Sequence, residues 1–432
     1  MTLDRLSSGI DGLDEILNGG FLENRAYLVR GAPGTGKTIL GTQFLVEGVT
    51  QNETALFINL EETADDVREN AASLGLALDG IEFLDLSPNA DAFVSEQSYD
   101  FFAVNDVEQE SFVETITSVV EDIEPDRVFV DPITQLRYLT PDEHQFRKQA
   151  IGFMEYLTSQ DATVLITSQD TVESSDEDLQ FLTDGTITLD ENDQGHTVRV
   201  PKFRGSETIS GQHAVQIGAG GLTVFPELRP TTHRQEFVSE PVPTGVPELD
   251  TLLNGGIERG TVTVLSGPTG VGKTTLGTQL MKEAAGRGER SVIYLFEENA
   301  ATFRERSNAI NIPVTEMEES GTLLIKEMEP IDLTPQEFAQ RVRAEVETRD
   351  AEIVMIDGTS GYGVSLQGDD EALRQRLHAL CRYLKNMGVT VILIDETHEI
   401  TGKFSGTGTG LSYLADNVVF LRHIEQAGEL RK

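Results

Sequence analysis

Eight residues recur 236 positions apart, and that recurrence limits the fold more than any other feature of the chain. Gly31-Ala32-Pro33-Gly34-Thr35-Gly36-Lys37-Thr38 and Gly267-Pro268-Thr269-Gly270-Val271-Gly272-Lys273-Thr274 both read G-x-x-x-x-G-K-T. The first follows an apolar run, Ala26-Tyr27-Leu28-Val29, and opens an amphipathic one, Ile39 to Val49. Strand, glycine turn and helix is the context in which this pattern binds phosphate. Glycines let successive backbone N–H groups turn inward around an anion, and the helix N-terminus adds partial positive charge. Lys37 and Lys273 can then reach the β- and γ-phosphates, and the Thr38 and Thr274 hydroxyls can ligate Mg²⁺.

The same offset carries Gly9 onto Gly245, Asn18-Gly19-Gly20 onto Asn254-Gly255-Gly256, and Glu61-Glu62 onto Glu297-Glu298. Asp131 and Asp357 lie 226 apart, so an insertion or deletion falls between. A period this long means tandem domains rather than a solenoid, and 432 residues hold two of ordinary size. The expected limits are 1–228 and 242–432, with a linker at 229–241.

Along the first half, a short helix (Gly12 to Leu17) precedes the loop. Apolar runs at Ala55 to Leu60, Ile81 to Leu86, Arg127 to Asp131 and Thr163 to Gln169 alternate with helical stretches at Ala64 to Leu74, Phe112 to Ile123 and Glu143 to Leu157. Residues 87–110, acidic and aperiodic, read as a loop. The alternation predicts an α/β fold with a mainly parallel sheet flanked by helices. Ligands of such sheets lie at the carboxyl ends of the strands, where Glu61, Glu62, Asp131 and Gln169 fall. From Gly185 short alternating strands predict a terminal β-meander. The second half repeats the order, and its meander is cut in the first hairpin, near Glu429 to Lys432.

No run of 18 apolar residues occurs and the N-terminus has no leader pattern. Cys381, alone of its kind, sits in a helical apolar pattern, and the seven histidines show no zinc spacing. A cytoplasmic protein without a membrane partner is expected. The net charge is −40, with 24 Arg against 9 Lys. Molar salt, with a Debye length of about 3 Å, would screen such self-repulsion, which suggests a salt-in, halophilic cytoplasm; an acidic protein seeking basic partners is the alternative. Either way the field opposes nonspecific binding to nucleic acid.

Asp131 and Asp357 end apolar strands downstream of the loops, where a carboxylate can hold the Mg²⁺ shell or simply cap the next helix. Adjacent glutamates at a strand end point in different directions, so one of Glu61-Glu62, and of Glu297-Glu298, can activate water beside the γ-phosphate while the other supports it. Lys202-Phe203-Arg204-Gly205-Ser206 is the most basic spot in the chain. It reads either as solvated strand or as a Lys/Arg pair reaching a neighbouring subunit's nucleotide.

Together with Ser8-Gly9-Ile10-Asp11-Gly12-Leu13-Asp14, these residues resemble the KaiC family of the RecA superfamily over essentially the whole chain. The resemblance implies two tandem RecA-like P-loop domains, stacked as a double, hexameric ring of a clock or signalling protein. It implies ATP/ADP and Mg²⁺ as cofactors, Glu61 and Glu297 as catalytic glutamates assisted by Glu62 and Glu298, and protein regulators as partners. Lys202 and Arg204 would act across the subunit interface on first-domain ATP. Where the family's clock protein carries an autophosphorylated Ser-Thr pair, this chain reads Ser412-Tyr413, leaving at most a single-site serine autokinase. Two other readings stand beside a slow regulatory ATPase. A RecA/RadA-like recombination ATPase would call for a basic stretch, yet the loops after Asp131 and Asp357 carry a single Arg between them. A non-hydrolysing nucleotide scaffold sits poorly with intact Lys, Thr, Asp and Glu.

Overall fold

The computed structural model describes residues 4–87, 106–139, 142–169, 177–192, 195–229, 240–328, 333–365, 370–397, 414–426 and 429–431. It divides into two compact units, Met1–Glu227 and Leu228–Lys432.

In the first unit, β1 (Ala26–Arg30), β2 (Ala55–Asn59), β3 (Ile81–Asp85), β4 (Arg127–Asp131) and β5 (Thr163–Ser168) are parallel. They continue through β6 (Gly185–Asn192), β7 (Gly195–Phe203), β8 (His213–Gly218) and β9 (Gly221–Phe225) into one nine-stranded sheet of order β9-β8-β7-β6-β1-β5-β4-β2-β3. The meander is therefore an extension of the parallel sheet: β6 runs parallel to β1, and β7 to β9 follow as antiparallel neighbours. The central strands are buried on both faces, and period-two alternation assigns their side chains to two cores. Tyr27, Val29, Phe57, Phe129 and Leu165 enter one; Leu28, Leu56, Ile58, Val128, Val130, Val164 and Ile166 enter the other.

Among the described residues the α-helices of this unit are α1 (Asp11–Ile16), α2 (Lys37–Thr50), α3 (Ala64–Ser73), α4 (Asp106–Ile123), α5 (Glu143–Ser159) and α6 (Glu177–Leu182), with a 3-10 turn at Ile133–Leu139. The helix expected from Phe112 starts six residues earlier, inside the stretch read as loop. An acidic opening without an apolar stripe hides a helix start from periodicity, although negative charge suits a helix N-terminus. The Asn18 turn is left-handed (φ 59°), as is Asn254 (φ 57°). Asp14 accepts from Ser8 N (2.8 Å) and Ser7 Oγ (2.7 Å), and Asp250 accepts from Thr244 N (2.8 Å) and Oγ1 (2.7 Å). The N-terminal motif thus fastens the chain before each phosphate loop.

The second unit repeats the central order. Strands β10 (Val262–Gly267), β11 (Arg290–Leu295), β12 (Leu323–Glu327), β13 (Ala351–Asp357), β14 (Thr390–Glu396) and β15 (Asn417–Phe420) form an all-parallel sheet, β12-β11-β13-β14-β10-β15. A separate hairpin pairs Ile424–Gln426 with Glu429–Arg431. The helices that matter below are α7 (Lys273–Gly286), α8 (Ala300–Ala309) and α9 (Pro335–Glu347).

In each unit a glycine of the loop helix lets it approach the sheet closely. A Cβ on Gly41 would stand 2.0 Å from the Phe129 ring, and one on Gly277 would stand 2.5 Å from Met355 Sδ. Arg127 is 1% exposed. It donates to the carbonyls of Ser7 (2.7 Å) and Phe44 (2.9 Å), pairs with Glu53, and lies over the Phe44 ring.

In the second unit the side chain of Glu345, on α9, is 3% exposed and meets Arg290 (2.9 Å), Lys326 (2.8 Å) and Arg349 (3.0 Å). Burial alone would push its carboxyl up; the hydrogen bonds from Lys326 and Arg290 outweigh that and hold it below the usual range. A depressed carboxylate stabilises the fold above its unfolded value and loses that contribution as pH falls through the folded one. Glu345→Gln is expected to lower the neutral-pH stability of this unit by about 2 kcal/mol and to flatten its acid limb. Urea unfolding between pH 3 and 7 checks both; an unchanged acid limb would remove Glu345 from the account.

Candidate functional site

Each phosphate loop leaves the carboxyl end of a central strand and enters its helix through a left-handed glycine, Gly36 (φ 95°) or Gly272 (φ 105°), a conformation side chains resist. Lys37 Nζ donates to the carbonyls of Gly31 (2.9 Å) and Ala32 (2.9 Å). Lys273 does the same to Gly267 (2.8 Å) and Pro268 (2.9 Å). Burial lowers the Lys273 ammonium's pKa, against the pull of Glu396, Asp357, Glu297 and Asp395.

The structure brings the remaining first-unit residues around the loop, in a cleft of about 530 Å³, within the size of small-ligand sites. Pro33, Gly34, Lys37, Thr38, Glu61, Glu62 and Asp131 all line it. Thr38 Oγ1 donates to Asp131 Oδ2 (2.6 Å), and Thr167 donates to the other carboxylate oxygen. Burial pushes the Asp131 carboxyl up while those two hydroxyls oppose it. Glu61 Oε2 accepts from Gln169 Nε2 (2.8 Å). Glu62 is turned toward α3, where Asn70 donates to it (3.4 Å), and the Asn59 side chain holds its backbone carbonyl. Burial, then the neighbouring Asp131, raises the Glu62 carboxyl.

The second cleft, of about 490 Å³, gathers Thr269, Gly270, Gly272, Lys273, Thr274, Glu297, Glu298 and Asp357. Thr274 Oγ1 donates to Asp357 Oδ1 (3.2 Å). Burial pushes the Asp357 carboxyl up to about 6, with added repulsion from Glu297 and Glu298. Glu297 Oε1 accepts from Gly361 N (3.1 Å), and Glu298 pairs with Arg306 (2.8 Å).

Lys202 and Arg204 stand apart from the cleft of their own unit. Lys202 is paired with Thr186 and Phe203 with Gly185, which itself lies beside Tyr27 on β1. They therefore sit toward the amino ends of the parallel strands, while the phosphate loop leaves the carboxyl end. Lys202 Nζ donates to the carbonyls of Gln180 and Thr183, so it caps the C-terminus of α6, whose last carbonyls lack helical partners. Burial, with Arg204 next, lowers its pKa. The Arg204 side chain is 57% exposed; it donates to the Phe181 carbonyl at 3.5 Å and lies 3.9 Å from Asp184. Ser412 and Tyr413 lie outside the described residues. Among the described residues no helix is long and apolar enough to cross a membrane.

Sequence reasoning passed over Thr167, Asn70, Arg306 and Glu396, and assigned Gln169 no partner. The signal for Arg306 was present: the 236-residue offset places it on Asn70.

A family model for the KaiC ATPase matches residues 6–229 and again residues 242–432. The circadian clock oscillator protein KaiC of Prochlorococcus marinus (strain MIT 9313) is 26% identical over 449 residues, covering 100% of this chain and 87% of that protein. The circadian clock oscillator protein KaiC 1 of Synechocystis sp. is 26% identical over 445 residues, covering 100% of this chain and 84% of its own length.

Proposed function

Because this chain belongs to the KaiC family of ATPases, we propose that it binds and slowly hydrolyses ATP as a regulatory, signal-transducing ATPase, with nucleotide at the subunit interfaces of a hexameric ring. The observation that carries the reading is the first cleft, where one carboxylate, Glu61, faces a complete phosphate loop and is oriented by an amide, Gln169. Lys37 Nζ turns from the two loop carbonyls that now accept from it to the β- and γ-phosphates, and the loop N–H groups and α2 N-terminus meet the remaining negative charge. Glu61 accepts a proton from the attacking water, while the hydrogen bonds from Asn70 and Asn59 to Glu62 hold the strand end in place.

The residues fit Mg²⁺. A hydroxyl and a carboxylate side by side, Thr38 with Asp131 and Thr274 with Asp357, are the hard oxygen donors it takes from a protein of this kind. Bound there, Mg²⁺ would neutralise charge developing on the phosphates.

Measured along the strands, Arg204 lies some four residues from its own loop end, roughly 13 Å at about 3.3 Å per residue, and two strands to the side, with its side chain 57% exposed. That placement supports action on a neighbour's nucleotide, with Lys202 fixing the segment through α6. Ser412 is the residue through which a second-site autokinase would act, and protein regulators would read the ring's nucleotide state. Arg204→Ala is expected to lower turnover by about a hundredfold or more while the ring persists. ATP hydrolysis beside light scattering in molar KCl measures both. Wild-type turnover in the variant would make Arg204 ordinary strand surface and remove the interface mechanism.

A further inference from the structure

The two clefts follow one plan, yet two wall positions differ in charge. Arg306 on α8 stands where the first unit has Asn70. Glu396 ends β14 where the first unit has Gln169 beyond β5; strand register places Ser168 beside Arg30, and Asp395 and Glu396 beside Ser266 and Gly267. Glu396 accepts a hydrogen bond from Thr269 of the phosphate loop. It therefore adds a fourth carboxylate to Glu297, Glu298 and Asp357 in the cleft that must receive a polyanion.

Arg306 is the added positive charge on the same wall. Its Nη2 lies 2.8 Å from Glu298 Oε2, its side chain is 46% exposed, and it lines the cleft with Lys273 and Thr274. Its base is firm, since Asn299 caps α8 by accepting from Thr302 N and Phe303 is fully buried. Its guanidinium lies 5.9 Å from the Phe303 ring centroid, a distant contact that the long stem can leave as the head turns. A guanidinium is the group that can trade a carboxylate for a phosphate, because its planar fork of donors matches both.

We propose that Arg306 is a phosphate receptor acting in cis at the second site: a nucleoside triphosphate draws the guanidinium from Glu298 to the terminal phosphate, and the site thereby distinguishes triphosphate from diphosphate. The first cleft has a neutral amide at this position, so the two sites differ in where their arginine comes from. The release of Glu298 accompanies the same movement, which couples occupancy of the loop to freeing a carboxylate beside it. The inference rests on the reading of the second loop as a nucleotide site.

The test uses the full chain carrying Lys37→Ala, which silences the first loop. Binding of fluorescent ADP and of a non-hydrolysable ATP analogue is measured with and without Arg306→Asn, the first unit's residue. The expected result is a loss of about tenfold or more in affinity for the triphosphate analogue, an ADP affinity within about twofold of the parent, and partial recovery in Arg306→Lys. Retained ADP binding also shows that the variant is folded. An unchanged triphosphate affinity, or an equal loss for both nucleotides, overturns the proposal and leaves Arg306 as the partner of Glu298 alone. A Lys37→Ala parent that binds neither nucleotide overturns both the proposal and the assignment of the second loop.

Discussion

Glu61→Gln should leave ATP bound at the first cleft and its turnover reduced by about a hundredfold to ten-thousandfold, the usual worth of a positioned base. The substitution keeps shape and removes charge. Lys37, the loop glycines and the Thr38–Asp131 pair are untouched, so the groups proposed to hold the phosphates all remain. What is lost is the proton acceptor, and Gln169, which now donates to a carboxylate at 2.8 Å, would face an amide instead. Single-turnover hydrolysis with trapped nucleotide, in a Lys273→Ala background that isolates the first site, separates binding from chemistry. Turnover within tenfold of the parent would move the base elsewhere, with Glu62 the next candidate by position.

The second large effect is structural. Arg127→Leu should destabilise the first unit by about 3 kcal/mol or more, the usual result of removing one partner from a buried ion pair. Leucine fills part of the space but leaves Glu53 and the carbonyls of Ser7 and Phe44 without their donor. Those groups belong to the N-terminal turn, to α2 and to the loop before β2, so one side chain joins three segments distant in sequence. Hydrogen exchange resolves the expected pattern better than a single unfolding curve in a chain of two units. Protection should fall across the first unit and stay unchanged in the second. Uniform protection at the parent level would show that the polar groups find other partners.

The strands were readable because a doubly buried parallel strand is a short continuous apolar run, as in Tyr27 to Val29 or Val128 to Val130. The loops were readable because glycine and lysine at fixed spacing leave few alternatives. Arg127 shows the limit. A charged residue opening a strand reads as surface, and only the packing of α2 over β4 reveals that it is enclosed. Lys202 shows another, since its capping of α6 depends on a helix end 20 residues away in sequence that no local pattern marks. Glu396 escaped for a third reason. The repeat offset shifts from 236 at the loops to 227 at β5 and β14, so a comparison at fixed spacing sets the wrong residues side by side.

The contact between Gly41 and Phe129 carries a consequence for the hydrogen-bonded pair of Thr38 and Asp131. Thr38 lies three residues before Gly41 on the same helix face, and Asp131 lies two residues beyond Phe129 on the same strand face. The thickness of that apolar contact is therefore the gauge block that sets the gap between hydroxyl and carboxylate, 2.6 Å here. The second unit uses a different block, Gly277 on Met355, and its gap is 3.2 Å. The spacing of each hydroxyl–carboxylate pair proposed for Mg²⁺ is thus written in the core, in residues that belong to neither member of the pair.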